Sequence, residues 1–256
     1  MANLGPSIGW GLVVALSLVA GAVAAAVARL PERAAATLTA FGGGVLLAAV
    51  ALELVPDADA EAGVALTVIG LAAGTLVYVG ADAWLSRTAS SQEMRRAMHA
   101  STAGRTGPAE EMMRADSTRG LSIAAGLFID GVPESIALGL TIAEEELGIA
   151  LLAGILIGNV VESYGAAQPI IAGGHRPGFA IRVLAGIGLA LAVATMLGGT
   201  VLADASPEFI GTAQAVAAGA VLAVVSIAVI PHAFAEVSRR TATATVAGFL
   251  LGYVLS

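Results

Sequence analysis

Four polar side chains lie inside long apolar runs, and their spacing would allow them to act together at one site. Asp130 and Glu134 occur in FIDGVPESIALGL, and Asn159 and Glu162 occur in IGNVVESYGAAQP. Residues three or four apart share one face of a helix, so each pair would project from one side of its helix. Together they offer three carboxylates and one amide oxygen, a donor set that suits divalent cations. We therefore expect a metal site between these two helices.

Pro133 favours a kink in the first of these helices. Proline removes a backbone N–H and its ring clashes with the preceding turn, which frees carbonyl oxygens close to Asp130 and Glu134. Freed carbonyls are further ligands for a cation. The alternative is that the two acids are neutral and bond to this backbone. Three acids and an Asn on neighbouring helices favour the metal site.

Glu53 is a further candidate metal ligand, three residues before Pro56 and near the end of an earlier apolar run. It is either an entrance ligand of the site or an interface residue whose carboxylate reaches water. The sequence leaves both interpretations open.

The composition is that of a membrane protein. Of the 256 residues, 57% are hydrophobic and 12% are charged, whereas about a quarter of a soluble domain is charged. Glycine is abundant, with 32 residues, and suits close helix packing in lipid. The chain has no Cys, which excludes disulfides and thiolate metal sites, and its net charge of −7 does not indicate nucleic-acid binding.

Eight apolar runs approach the roughly 20 residues that a helix needs to cross the hydrocarbon core. They span residues 8–29, 35–56, 63–85, 120–142, 147–171, 179–203, 210–233 and 241–256. Lipid offers no partner to unpaired backbone groups, so each run should be helical. We expect one all-α, polytopic transmembrane domain over residues 1–256.

Charges outside the runs or near their ends separate onto two ends of the predicted bundle. All 12 basic residues are Arg and fall at one end, here called the Arg end. They are Arg29, Arg33, Arg87, Arg95, Arg96, Arg105, Arg114, Arg119, Arg176, Arg182, Arg239 and Arg240. The opposite, acidic end carries Asp57, Asp59, Glu61, Glu144, Glu145, Glu146, Asp204 and Glu208. The positive-inside rule makes the Arg end cytoplasmic, so both termini should be extracytoplasmic. Polar residues 87–118 should form a flexible cytoplasmic loop.

Spans two and seven resemble each other. They read GGGVLLAAVALELVPDA and AAGAVLAVVSIAVIPHA, and both run from small residues through Val-Leu to a Pro-x-Ala end. The two spans would end on opposite sides of the membrane. This predicts an inverted repeat of spans one to three and six to eight around spans four and five, an arrangement common in transporters. Chance similarity between two apolar helices is the alternative.

The motif in span four resembles the ZIP (Zrt/Irt-like) family of metal-ion transporters. DGVPES stands where that family has His-Asn-x-Pro-Glu-Gly, so Pro133 and Glu134 match. Asp130 replaces the His and Gly131 the Asn, which puts the usual preference for zinc in question.

Two more segments extend the resemblance. In span five, GNVVES places Asn159 and Glu162 on the family's polar and later ligand positions, with Val161 in place of a Pro. In span two, ELVPDA matches His-Leu-x-Pro-Glu-Ala with Glu53 at the His. The resemblance implies eight spans, both termini outside, and a mononuclear or binuclear metal centre between spans four and five. It also implies import toward the cytosol and often a homodimer.

The sequence thus predicts a multi-pass protein of the cell membrane that takes up a divalent ion such as Zn²⁺, Fe²⁺ or Mn²⁺. No enzymatic activity or prosthetic group is expected, and the partners are the transported ion and the bilayer. One alternative is a proton-coupled carrier of an organic solute, with the carboxylates as proton relays. Another is an intramembrane metal-dependent hydrolase. The hydrolase is disfavoured because no Arg lies in the middle of a span to hold a phosphate.

Overall fold

The described part of the chain is almost wholly helical. A computed structural model describes residues 4–28, 30–103, 108–143, 147–201 and 205–256, without the side chains of 32, 85–103, 108–119, 122 and 143. Within these ranges there is no strand. The α-helices are α1 (Leu4–Val27), α2 (Glu32–Ala49), α3 (Val55–Ala103), α4 (Pro108–Ala143), α5 (Ile149–Ala172), α6 (Pro177–Thr200), α7 (Pro207–Val224), α8 (Ile230–Val237) and α9 (Arg240–Leu255).

Helix length and composition make this a polytopic membrane protein. Six helical stretches within the described residues are long and apolar enough to cross a membrane. One of them, Arg33–Trp84, has 52 residues and covers predicted span two and all but the last residue of predicted span three. The shorter apolar helix Arg240–Leu255 corresponds to predicted span eight. The count of eight crossings and the position of the termini stay predictions.

Gly63 breaks the long stretch. Its backbone, with φ 77° and ψ 160°, is not helical. Positive φ is readily adopted only by glycine, so the sequence permits a change of direction here. The residues just before Gly63 are helical, although the sequence places them between two spans.

Two π-helical turns precede prolines at corresponding places in the chain. Val50–Leu54 lies just before Pro56, and Val225–Val229 lies just before Pro231. A proline inside a helix clashes with the carbonyl four residues earlier and lacks an N–H. The wider π turn accommodates both effects, and such turns are frequent at functional sites.

The helices pack in two groups. In the first, α1 packs on α5 and α6, and α4 packs on the same two helices. In the second, α2 packs on α9 and α3 packs on α7. The groups meet mainly where α2 contacts α5 and α4 contacts α7.

Reciprocal small-residue contacts draw these helices together. In the first group, Gly11 of α1 packs against the backbone of Ala192, and Gly188 of α6 packs against the backbone of Ala15. Such contacts allow backbones to approach closely in lipid, where helix association depends on packing.

The second group contains two further pairs of such reciprocal contacts. Gly44 packs on Thr245 and Gly248 on Phe41, while Gly219 packs on Leu71 and Gly74 on Val216. In every case the glycine meets the partner's main-chain carbonyl oxygen. A side chain at any of these positions would force the helices apart.

The C-terminal part of α3 and the N-terminal part of α4 extend into the predicted loop at 87–118, and their backbones are helical there. Its centre, residues 104–107, lies outside the described residues. The flexibility of this segment stays a prediction.

Candidate functional site

A cavity of about 870 Å³ lies between the two helix groups. Segments of α2, α3, α4, α5 and α8 line it, together with the second π turn. Its polar lining residues are Thr39, Tyr78, Asp82, Asp130, Glu162, Tyr164, Gln168, His232 and Glu236. Among the described lining residues, four are acidic and none is Arg or Lys. The lining therefore favours a cation.

The cavity lies in the half of the bundle nearer the Arg end. Leu30, just before α2, and Ala172, at the end of α5, line it close to that end. Glu236 lines it from the last turn of α8, next to the turn that carries Arg239. From there the lining extends inward to Asp130 and Glu162.

Asp130 lies in the middle of the apolar part of α4 and faces the cavity. The Tyr78 hydroxyl on α3 donates a 2.7 Å hydrogen bond to its Oδ1 atom. Tyr78 is only 3% exposed, so the phenol is held in a fixed position against the carboxylate. Asp82, one turn further along α3, also lines the cavity. Cavity-facing polar groups therefore come from α3 as well as from the two predicted helices.

Glu162 of α5 reaches the same cavity and is partly exposed to it. Its carboxylate lies close enough to Asp130 and Glu134 for their negative charges to repel. The structure thus places the predicted acids of α4 and α5 close enough to interact electrostatically. Burial of like charges is costly, and a cation would relieve that cost.

Glu134 and Asn159 form a deeper level of the predicted site. They are 6% and 3% exposed, and neither lines the cavity. The Asn159 amide nitrogen has no hydrogen-bond partner among the described residues, and neither does the hydroxyl of Ser135, which is fully buried. Buried polar groups usually have partners, so unpaired ones suggest a ligand or water that is part of the working site.

Apolar side chains close the space between this level and the acidic end. Leu54, Leu138 and Leu151 are fully buried in one hydrophobic cluster. Leu138 is one turn beyond Glu134 on α4, and Leu151 is two turns before Asn159 on α5. Buried leucines therefore lie between the predicted site and the acidic end, whereas the cavity extends from the site toward the Arg end.

Glu53 lies apart from this cavity. Its Oε1 accepts a 3.4 Å hydrogen bond from the Ala150 N–H, and its Oε2 accepts a 3.4 Å hydrogen bond from the Leu151 N–H. Carboxylates at this position stabilise a helix, because the first N–H groups lack partners and the helix dipole is positive there. The structure thus gives Glu53 a structural partner, and its role as an entrance ligand stays a prediction.

Within the described residues, no three His, Asp or Glu side chains are grouped closely enough to hold a metal ion. Besides Asp130 and Glu162, the cavity lining includes the Tyr78 hydroxyl, which is bonded to Asp130, and the Asp82 carboxylate. Hard divalent cations accept carboxylate, hydroxyl and water oxygens together. The sequence-predicted ligands thus occupy two levels, one accessible and one buried.

Sequence analysis did not assign four polar residues of the cavity lining to the site: Tyr78, Asp82, His232 and Glu236. The spacing contained a signal, because Tyr78 and Asp82 are four apart, as are His232 and Glu236. Residues four apart share a helix face, so each pair forms a polar stripe on an otherwise apolar helix.

No protein-family model matches the chain, and no curated protein shows a significant sequence match to it.

Proposed function

We propose that this protein transports divalent metal cations across the membrane toward the cytosol. The observation that carries the proposal is the acid-lined cavity, which leads from the Arg end to Asp130 and Glu162 in the middle of apolar helices. Acidic groups at this depth are costly unless they serve a pathway or a site. A divalent cation compensates two negative charges at once, which suits closely placed carboxylates.

Cation binding would begin at the accessible level. Asp130 and Glu162 supply carboxylate oxygens, while water in the cavity completes the coordination. Glu134 and Asn159 lie further along the same two helices and would receive the ion on its way from the acidic end. Asp82 and Glu236 then provide a negative field that draws the released ion toward the cytosol.

Two features support eight crossings and an inverted repeat. A straight helix of 52 residues would be about 78 Å long, far more than the roughly 30 Å hydrocarbon core, and Gly63 divides it. The packing is also reciprocal, since α2 packs on α9 as α7 packs on α3, and α1 packs on α5 as α6 packs on α4. This pairing is what an axis in the membrane plane would generate.

Alternating access follows from the same division into two groups. The cavity lies between the group containing α4 and α5 and the group containing α3 and α7. Movement of one group past the other would close the cavity and expose the buried level to the acidic end. The closed packing of Leu54, Leu138 and Leu151 corresponds to the state open toward the Arg end.

The test is uptake of a panel of divalent ions into proteoliposomes. We expect uptake of at least one of Zn²⁺, Fe²⁺ and Mn²⁺, and we expect Glu162→Gln and Glu134→Gln to reduce it to the level of empty liposomes. Gln keeps the size of Glu and removes the charge that compensates the ion. The matched control is Glu208→Gln, an exposed acid in the first turn of α7 that lies outside the cavity.

Each variant is first required to elute as the wild type in size-exclusion chromatography. If neither Glu162→Gln nor Glu134→Gln lowers uptake below that of Glu208→Gln, the assigned site is wrong. If no divalent ion is taken up by the wild type, metal transport itself is wrong.

One observation favours a second candidate, a proton-coupled carrier of an organic solute. A volume of about 870 Å³ falls in the range typical of small-molecule sites, and the polar residues Gln168 and Tyr164 are among those that line it. The acids would then act as proton relays. Calorimetry with divalent ions separates the two candidates, because direct, saturable metal binding is expected only for the metal transporter.

A further inference from the structure

The Tyr78–Asp130 hydrogen bond joins the two helix groups at the depth of the predicted site. Tyr78 belongs to α3, which packs with α7, and Asp130 belongs to α4, which packs with α5 and α6. The two residues are 52 positions apart in sequence, and the 2.7 Å distance between Tyr78 Oη and Asp130 Oδ1 is that of a well-formed hydrogen bond. This bond therefore depends on the relative position of the two groups.

We propose that Tyr78 is a positioning residue that competes with the transported cation for the carboxylate of Asp130. In the state described, the phenol occupies Oδ1 of Asp130 and links α3 to α4. A cation that binds Asp130 through this oxygen removes the hydrogen bond and frees α4 from α3. Release of the ion into the cavity restores it. The inference rests on the proposed function, since it needs a cation at Asp130.

The surroundings of Tyr78 support competition rather than simple packing. Tyr78 lines the cavity although it is nearly buried, so its hydroxyl reaches the place where an ion would arrive. Asp82 and Glu162 are close enough to interact electrostatically with it, and both are acidic. A phenol among carboxylates is the available donor for a carboxylate that lacks a cation.

A second tyrosine provides a matched control. Tyr164 also lines the cavity and is 6% exposed, but its hydroxyl serves the main chain of the α1–α2 connection. It accepts a 2.6 Å hydrogen bond from the Leu30 N–H and donates a 3.4 Å bond to the Ala28 carbonyl. Loss of this hydroxyl would disturb the fold locally without freeing a carboxylate.

The experiment measures divalent-ion binding by calorimetry on purified full-length protein, with uptake kinetics in proteoliposomes. The tested ion is whichever of Zn²⁺, Fe²⁺ and Mn²⁺ the wild type takes up. Tyr78→Phe should bind it roughly tenfold more tightly, because a hydrogen bond to a charged acceptor no longer competes. The KM for uptake should fall in parallel, without a rise in kcat.

Two further variants isolate the cause. Tyr164→Phe should leave the affinity unchanged, and Tyr78→Phe combined with Asp130→Asn should bind no more tightly than Asp130→Asn alone. Unchanged or weaker binding by Tyr78→Phe, with normal binding by the wild type, overturns the inference and leaves the proposed function standing. A wild type that neither binds nor transports a divalent ion overturns both.

Discussion

The carboxylate of Glu53 accepts a hydrogen bond from the main-chain N–H of Leu151, 98 residues further along the chain. Together with the bond from Ala150, this places a negative charge on the first turn of α5 at the acidic end. Glu53 belongs to the first π turn, so the turn connects α2 and α3 to the helix that carries Glu162. The acidic end of the bundle, where this cap lies, is also where apolar side chains pack closely.

Glu53→Ala should destabilise the protein by about 1 kcal/mol, the usual loss for a helix cap. Glu53→Gln should lose less, because one acceptor oxygen remains. Thermal unfolding in detergent, followed by tryptophan fluorescence, measures both. Asp59→Ala is the control, since Asp59 is an exposed acid at the same end of the bundle. Unchanged stability with weaker metal binding would instead support Glu53 as an entrance ligand.

Water should reach the cavity from the Arg end only. The chain lacks Cys, so single-cysteine variants need no prior removal of thiols. Gly165 and Gly158 both lie on α5 with open space around an added side chain, but only Gly165 lines the cavity. Gly165→Cys should react with a membrane-impermeant maleimide in inside-out vesicles, whereas Gly158→Cys should not. Labelling of Gly165→Cys in intact cells alone would reverse the proposed orientation.

Helix packing at Gly74 should tolerate no added atom. A Cβ there would overlap the carbonyl oxygen of Val216, so Gly74→Ala should cost about 1–3 kcal/mol. Gly80→Ala, on the same helix with nothing near the added carbon, should instead gain up to about 1 kcal/mol from helix propensity. Both are measured by thermal unfolding in detergent.

The corresponding contact in the other half of the chain, between Gly248 and Phe41, tests the proposed inverted repeat. Gly248 meets the carbonyl of Phe41 in the same way, so Gly248→Ala should cost as much as Gly74→Ala if the two halves are equivalent. A large loss for one variant and none for the other would argue against equivalent packing.

Much of the fold was predictable because apolar runs and charge position depend on local sequence. The runs identified Ile149–Ala172 and Pro177–Thr200 as spans, and the spacing of Asp130 and Glu162 placed carboxylates in the middle of adjacent helices. These features follow from the free-energy cost of placing unpaired backbone groups and charges in lipid. That cost applies to every residue of a span, so it can be read from local sequence.

The parts that were not predicted depend on contacts between distant residues. The bond from Tyr78 to Asp130 and the cap that Glu53 provides for α5 require knowledge of which helices are neighbours. Periodicity shows which side chains share a face but not which face meets the cavity. The separation of Glu134 from the accessible level is likewise a consequence of packing.

The two levels of the site should differ in their reaction with a water-soluble carbodiimide and an amine. Glu162 lines the cavity and is partly exposed, so its carboxyl should be converted to the amide. Glu134 is 6% exposed and does not line the cavity, so it should remain unmodified in the same sample. Peptide mass spectrometry measures the modified fraction at each residue.

The transported ion should protect Glu162 in this reaction, because a bound cation occupies the carboxylate oxygens that the reagent must reach. The exposed Glu208 is the internal control and should be modified to the same extent with or without the ion. Equal modification of Glu134 and Glu162 in the absence of the ion would show that water reaches both levels. Modification of Glu162 that is insensitive to every ion taken up would contradict its assignment as a ligand.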